Sequence, residues 1–185
     1  MDLREKLTLI NTIAPPVRGL TNSVLMELKT GSALAIGGQQ FVVEDSFLYT
    51  ETNKKGVKKK FTWKEYQLRN LSTFEIVFLE VEDDDGLSAY LTLEKVAEGR
   101  ISPSPGPSVK QIEVSGLGDG TFYLDETCYA VFDGKHGEEN VVMLDYEDDH
   151  GTLLGVEIWD GDNGRAYTYK EVSVKQIEVI AHEGD

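Results

Sequence analysis

Three acidic runs are the first places to look for chemistry: Glu80-Val81-Glu82-Asp83-Asp84-Asp85, Asp145-Tyr146-Glu147-Asp148-Asp149-His150 and Asp160-Gly161-Asp162-Asn163. Hard cations such as Ca²⁺ take about six to eight oxygens, and adjacent carboxylates at a turn supply several. The third run comes nearest to a calcium loop, with Asp160, Asp162 and, eleven residues after Asp160, Glu171. It fails at the next positions, where Gly164 and Arg165 replace the oxygen ligand and the glycine such a loop needs. Asp162-Asn163-Gly164 therefore reads as a hairpin turn, and all three runs as solvated turns with no metal or cofactor assigned. Carboxylate pairs doing acid–base work need a cleft that shifts their pKa values, and acids at hairpin tips lack one. His136, His150 and His182 are too dispersed for a ligand set. The single cysteine, Cys128, sits in the strand-like run Thr127-Cys128-Tyr129-Ala130-Val131-Phe132 and reads as a small core residue. With no Gly-x-Ser-x-Gly, phosphate-binding loop or dinucleotide fingerprint, an enzyme is not expected.

The one concentrated basic feature is Lys54, Lys55, Lys58, Lys59 and Lys60, followed by Lys64. Such a hairpin tip can attract anionic lipid at about 1 kcal/mol per charge, attract the protein's own acids, or simply keep a long hairpin soluble. Leu3, Leu7 and Ile10 recur at helical spacing, so residues 1–13 read as a short amphipathic helix ended by Ala14-Pro15-Pro16. A helix that short needs the domain or a partner to cover its apolar stripe. These lysines and the three apolar helix residues are the candidate partner-binding positions.

Beyond residue 30 the pattern is β. Gly37-Gly38 between Ala33–Ile36 and Phe41–Val43 is a hairpin signature, because the glycines supply the positive φ of a two-residue turn. Further strands are expected at short intervals: 47–52, 59–68, 74–81, 87–93, 109–114, 121–124, 128–132, 141–146, 153–159, 166–169 and 174–180. Trp63 and Phe61 share one strand face, Tyr66 and Lys64 the other. Ser102-Pro103-Ser104-Pro105-Gly106-Pro107 is the strongest break.

The word Ser108-Val109-Lys110-Gln111-Ile112-Glu113-Val114 returns unchanged at Ser173–Val179. Two weaker matches keep the same order: Gln40–Ser46 with Thr121–Thr127, and Leu79-Glu80-Val81 with Val156-Glu157-Ile158. The chain is thus expected to be duplicated. The expected fold is all-β and mainly antiparallel: two tandem, pseudo-symmetric meander or barrel-like modules packed together after an N-terminal helix. The partition is 1–30 for helix and connector, 31–114 for module one with its insert at 102–107, 115–180 for module two and 181–185 for a tail.

Net charge is −15, divided unevenly: residues 1–75 carry 11 Lys/Arg against 8 Asp/Glu, and residues 76–185 carry 7 against 25. An acidic field of this kind disfavours nucleic-acid binding and suits basic partners. One cysteine excludes an internal disulfide, and the absence of a secretory signal or a long apolar span leads to the expectation of a soluble, cytoplasmic protein.

Thr62-Trp63-Lys64-Glu65-Tyr66-Gln67-Leu68, the glycine-led hairpin at Gly38–Val43 and the strand Leu79–Glu82 resemble the bacterial domain of unknown function 4178 family, with weaker forms at Leu144-Asp145-Tyr146 and Val156–Trp159. The resemblance implies a small β-rich fold with no known activity. It also implies an accessory role beside membrane-stress proteins of the phage-shock-protein-A type. The function expected is a non-enzymatic protein-interaction or adaptor domain of a bacterial cytoplasmic complex. The alternatives are an acidic decoy that mimics nucleic acid and a metal-dependent enzyme.

Overall fold

The computed structural model describes residues 22–134, 137–160 and 164–181. Strands dominate them, as β-branched and aromatic content with glycine turns dictates: β1 (Ala33–Ile36), β2 (Gln39–Thr52), β3 (Lys58–Asn70), β4 (Ile76–Asp83), β5 (Leu87–Val96), β6 (Ile101–Ser102), β7 (Gln111–Val114), β8 (Thr121–Gly134), β9 (Gly137–Glu147), β10 (Leu153–Trp159), β11 (Arg165–Glu171) and β12 (Ile177–Ala181). The only helices among the described residues are short 3-10 turns at Asn22–Met26, Glu98–Arg100 and Val174–Gln176. The helix expected over residues 1–13, with Leu3, Leu7 and Ile10, lies outside the described residues, as do His136 and His182. Gly37 and Gly38 both have positive φ (57° and 84°), as a tight hairpin turn requires.

Two long strands replace pairs of shorter ones. β2 runs unbroken from Gln39 to Thr52 because Glu44-Asp45-Ser46 holds no glycine or proline to interrupt it. β8 likewise merges the stretches expected at 121–124 and 128–132, absorbing the extra residue as a bulge where the register shifts between Leu124 and Glu126.

The chain divides into two compact units, each made of discontinuous stretches: 1–47, 63–91 and 171–185 form unit one, and 48–62 with 92–170 form unit two. These boundaries do not coincide with the tandem partition at 31–114 and 115–180. In unit one, β12 pairs β1, β1 pairs β2, β3 pairs β4 and β4 pairs β5, all antiparallel. One face of these strands gathers Leu34, Phe41, Val43, Tyr66, Leu68, Leu79 and Val81 into a core. Tyr66 is fully buried, and its hydroxyl donates to the Leu25 carbonyl at 2.7 Å, which removes the cost of an unpaired buried hydroxyl.

In unit two the pairs run β6–β7–β8–β9–β10–β11, and residues Leu48–Thr52 of β2 pair with Tyr129–Asp133 of β8. Its core holds Ile112, Val114, Phe122, Leu144, Tyr146, Leu154 and Val156. Tyr146, also fully buried, donates to the Val109 carbonyl at 3.1 Å.

The cross-strand partners of two pairs of hairpins are alike. Tyr66 lies opposite Leu79 and Val81 opposite Ala89; Tyr146 lies opposite Leu154 and Val156 opposite Ala166. Aligned on these partners, Leu79-Glu80-Val81-Glu82 falls beside Leu154-Gly155-Val156-Glu157, two residues earlier than the sequence alignment places it. A two-residue slip keeps every side chain on its own face, so alternation alone does not detect it.

The repeated word is used the same way twice. In its first copy Val109, Ile112 and Val114 pack on the core of unit two; in its second Val174, Ile177 and Val179 pack on the core of unit one. The first copy follows the β2–β5 meander yet belongs to unit two. The second follows β8–β11 yet belongs to unit one. The two ends are exchanged.

Candidate interaction surfaces

The lysine hairpin forms as read, and its tip belongs to unit two. Asn53 shapes it by accepting the N–H groups of Lys55 (2.8 Å) and Val57 (3.1 Å) on its side-chain oxygen, leaving Val57 60% exposed at the apex. Several of the charges are engaged within the protein: Lys58 pairs with Glu138 at 2.6 Å, Lys59 pairs with Glu51, and Lys54 lies 5.8 Å from the centre of the Tyr129 ring. Lys55 and Lys60 are exposed and form no ion pair with a described residue. Lys64 is not part of the tip; it belongs to unit one, on the same face of β3 as Tyr66.

Glu80–Asp83 and Asp145–Glu147 lie on β4 and β9 with the acids that follow them in turns, whereas Gly161, Asp162 and Asn163 of the third run, where a hairpin turn is expected, lie outside the described residues. Among the described residues no three His, Cys, Asp or Glu side chains are grouped to hold a metal. Asp148 is the organising residue of the β9–β10 turn, its Oδ1 accepting the N–H groups of Thr152 (2.7 Å) and His150 (3.0 Å). Burial works to raise its pKa, but these bonds outweigh burial and hold the carboxyl below its usual value. Its Oδ2 packs against Gly118, where a Cβ would lie 2.4 Å away. His150 contacts Asp119 at 2.5 Å in the same region.

Sequence reading missed a second face of unit two, because it becomes visible only with the register. Across it run Glu126, Asp145, Gly155 and Tyr167, and in the next row Cys128, Met143, Glu157 and Arg165. Burial pushes Asp145 up to about 6; the Tyr169 hydroxyl, donating at 2.9 Å, draws it down, and Glu126 and Asp125 push it further up. Burial also raises Glu157, opposed by a 3.0 Å bond from the Trp159 Nε1–H and by Arg165. Own cations cover two rings of this face: Arg165 at 5.6 Å from Trp159 and Lys95 at 6.0 Å from Tyr167. The only sequence signal was the shared parity of Asp145 with Glu157 and Tyr167 on neighbouring hairpins.

The β3–β4 turn of unit one was also missed, since Phe74 reads as the start of a strand. Phe74 instead occupies the left-handed region at φ 63°, rare for a bulky side chain, and remains 54% exposed beside Ile76 at 46%. The turn is fastened from several sides. Asn70 Oδ1 accepts from Ser72 N (2.8 Å) and Thr73 N (3.1 Å), Phe74 N donates to Asn70 O (2.9 Å), and Arg69 Nη1 donates to the Phe74 carbonyl (2.8 Å). Arg69 is itself clamped to Glu44 through Nε (2.5 Å) and Nη2 (2.9 Å), and Gln67 adds a bond to Glu44 at 3.0 Å. The Arg69 bonds hold the Glu44 carboxyl below its usual pKa.

Fold and surfaces together define an antiparallel β protein whose notable positions are presented outward, on turns and sheet faces. The model of the family described as Domain of unknown function (DUF4178) matches residues 29–173, well over half of the chain, and the protein belongs to that family. No curated protein and no solved structure matches it. No helix among the described residues is long and apolar enough to cross a membrane.

Proposed function

We propose that the protein is a non-enzymatic interaction module, an adaptor in a bacterial cytoplasmic complex, which holds a partner through the β3–β4 turn. The observation that carries this reading is Phe74. A non-glycine residue held at positive φ costs about 1–3 kcal/mol, and an aromatic ring left in water forgoes its burial energy. The Asn70, Arg69 and Glu44 bonds fix that costly arrangement, which makes sense where a partner's apolar pocket receives the ring. A rigid aromatic anchor is the kind of residue that dominates interface energies, because little freedom remains to be lost on binding. Ile76 extends the apolar contact; Lys55, Lys60 and Val57 at the β2–β3 tip are a second contact, suited to an acidic surface. A membrane-stress complex is the setting that family resemblance suggests for the partner.

The test compares wild-type and Phe74→Gly proteins as quantitative baits in the native host, with a melting curve for each. Glycine suits φ 63° and keeps the turn, so the fold survives while the anchor disappears. A partner recovered by the wild type and depleted about tenfold or more by Phe74→Gly supports the reading, at the scale of one hot-spot residue. Equal recovery by both baits would refute it.

A further inference from the structure

The bulge in β8 has a consequence at the β7–β8–β9 end of unit two's second face. By taking up one extra residue, it brings Tyr123 and Glu126, three apart in sequence, to the same side of the sheet. Tyr123 is 45% exposed and lies directly between Gln111 on β7 and Glu147 on β9. Glu126 is opposite Asp145 one row further on. Glu113 stands one step along β7, where the Thr121 hydroxyl (3.0 Å) and the Gln111 side-chain amide (3.2 Å) fix its carboxylate. Glu113, Glu126 and Glu147 are all exposed, and none forms an ion pair with a described residue. Glu147, directly opposite Tyr123, is about 4.5–5.5 Å away at Cβ and diagonal Glu113 about 7–8 Å, with Glu126 in the next row on the same side, so carboxylates flank an open aromatic.

We infer that this patch is a docking surface for a Lys/Arg-rich segment of a partner protein, with Tyr123 as the platform on which a cationic side chain stacks and Glu113, Glu126 and Glu147 as its counter-charges. The same sheet face already uses this mode within the chain, where Lys95 covers Tyr167 and Arg165 covers Trp159; no described cation covers Tyr123. Charge complementarity selects the occupant. Residues 76–185 carry 25 Asp/Glu against 7 Lys/Arg, a field that draws in basic chains and repels phosphate polymers. Arg is the better fit of the two cations, since its planar head stacks on an aromatic and forks onto a carboxylate together. The inference goes beyond the adaptor reading and does not depend on Phe74, which belongs to unit one.

The probe is an acetylated hexa-arginine peptide titrated into the intact protein at low salt, with hexaglutamine as control, followed by backbone amide shifts and calorimetry. Binding is expected with shifts concentrated on β7, β8 and β9, and it should weaken as salt rises. Tyr123→Ser should weaken binding about 2- to 5-fold, the range of an exposed cation–π contact, while Tyr123→Phe binds like the wild type. Glu126→Gln with Glu147→Gln should cost about another 2- to 5-fold. Asp84→Asn with Asp85→Asn, which removes the same charge from the exposed β4–β5 turn, should leave binding unchanged. The inference is overturned by an unaffected Tyr123→Ser, by equal losses from the two double variants, or by absence of peptide binding. Melting curves identify any variant that has lost its fold, and because Tyr123 is exposed none is expected.

Discussion

Replacing Asp145 with Asn should stabilise the protein at neutral pH, and the size of the gain can be worked from its surroundings. The carboxyl lies on the second face of unit two with its pKa raised from 3.8 to about 6, chiefly by burial. A carboxyl that binds its proton more tightly in the folded than in the unfolded state makes the fold less stable wherever it must ionise. The penalty is absent below the unfolded value, grows between pH 4 and pH 6 and is complete above that. A shift of roughly two units corresponds to about 3 kcal/mol at full development. Asn removes the charge and its repulsion from Glu126 and Asp125, and its carbonyl still accepts the Tyr169 hydroxyl. It loses the added strength of a bond to a charged acceptor, so the net gain at pH 8 should be about 1–2 kcal/mol. For a chain of this length that is about 2–8 °C in melting temperature. Calorimetric melts of both proteins from pH 4 to pH 8 provide the assay, and the gap should close as pH falls. A less stable Asn variant at pH 8, or a gap independent of pH, would refute the reasoning.

Gly118→Ala should destabilise by about 2–3 kcal/mol in urea unfolding, since its Cβ would meet Asp148 Oδ2 at 2.4 Å and its φ is +51°; a silent substitution would mean that the turn relaxes freely. Phe74→Gly should leave stability unchanged or raise it by up to about 1 kcal/mol, because strain at φ 63° is relieved while chain entropy is added. Glu44→Gln should lower stability by about 1 kcal/mol at pH 7, after discounting for solvent exposure. Its carboxyl is held below the usual value, so the stability it adds is present at neutral pH and lost on acidification. Urea midpoints of the two proteins should accordingly converge toward pH 3.

The strand inventory was legible because turns such as Gly37-Gly38 and Asp84-Asp85-Gly86 carry their own conformational demand. Which strand lies beside which was not. Asp145, Gly155 and Tyr167 become neighbours through hairpin register, and nothing local states that Val156 faces Ala166. Phe74 misled for a related reason: Thr73-Phe74-Glu75-Ile76 has the composition of a strand, but Asn70 captures the backbone and turns the chain before the strand begins. The lysines were found directly, since charge density is visible in one dimension. Their engagement by Glu138, about eighty residues away in sequence, and by Glu51 was not. The seven-residue word was visible as an exact repeat, while the placement of its two copies in different units needed three dimensions.

That placement bears on how the protein is made. β1 acquires its outer neighbour only when residues 177–181 have left the ribosome, long after its own. Until then the backbone of Ala33–Ile36, paired with β2 on one side only, has an open edge able to pair with a wrong strand. Unit two has a shorter wait of the same kind, since Leu48–Thr52 find their partners on β8 only once Tyr129–Asp133 have emerged. The nascent chain is thus exposed to aggregation along the free edge of β1 until β12 has emerged.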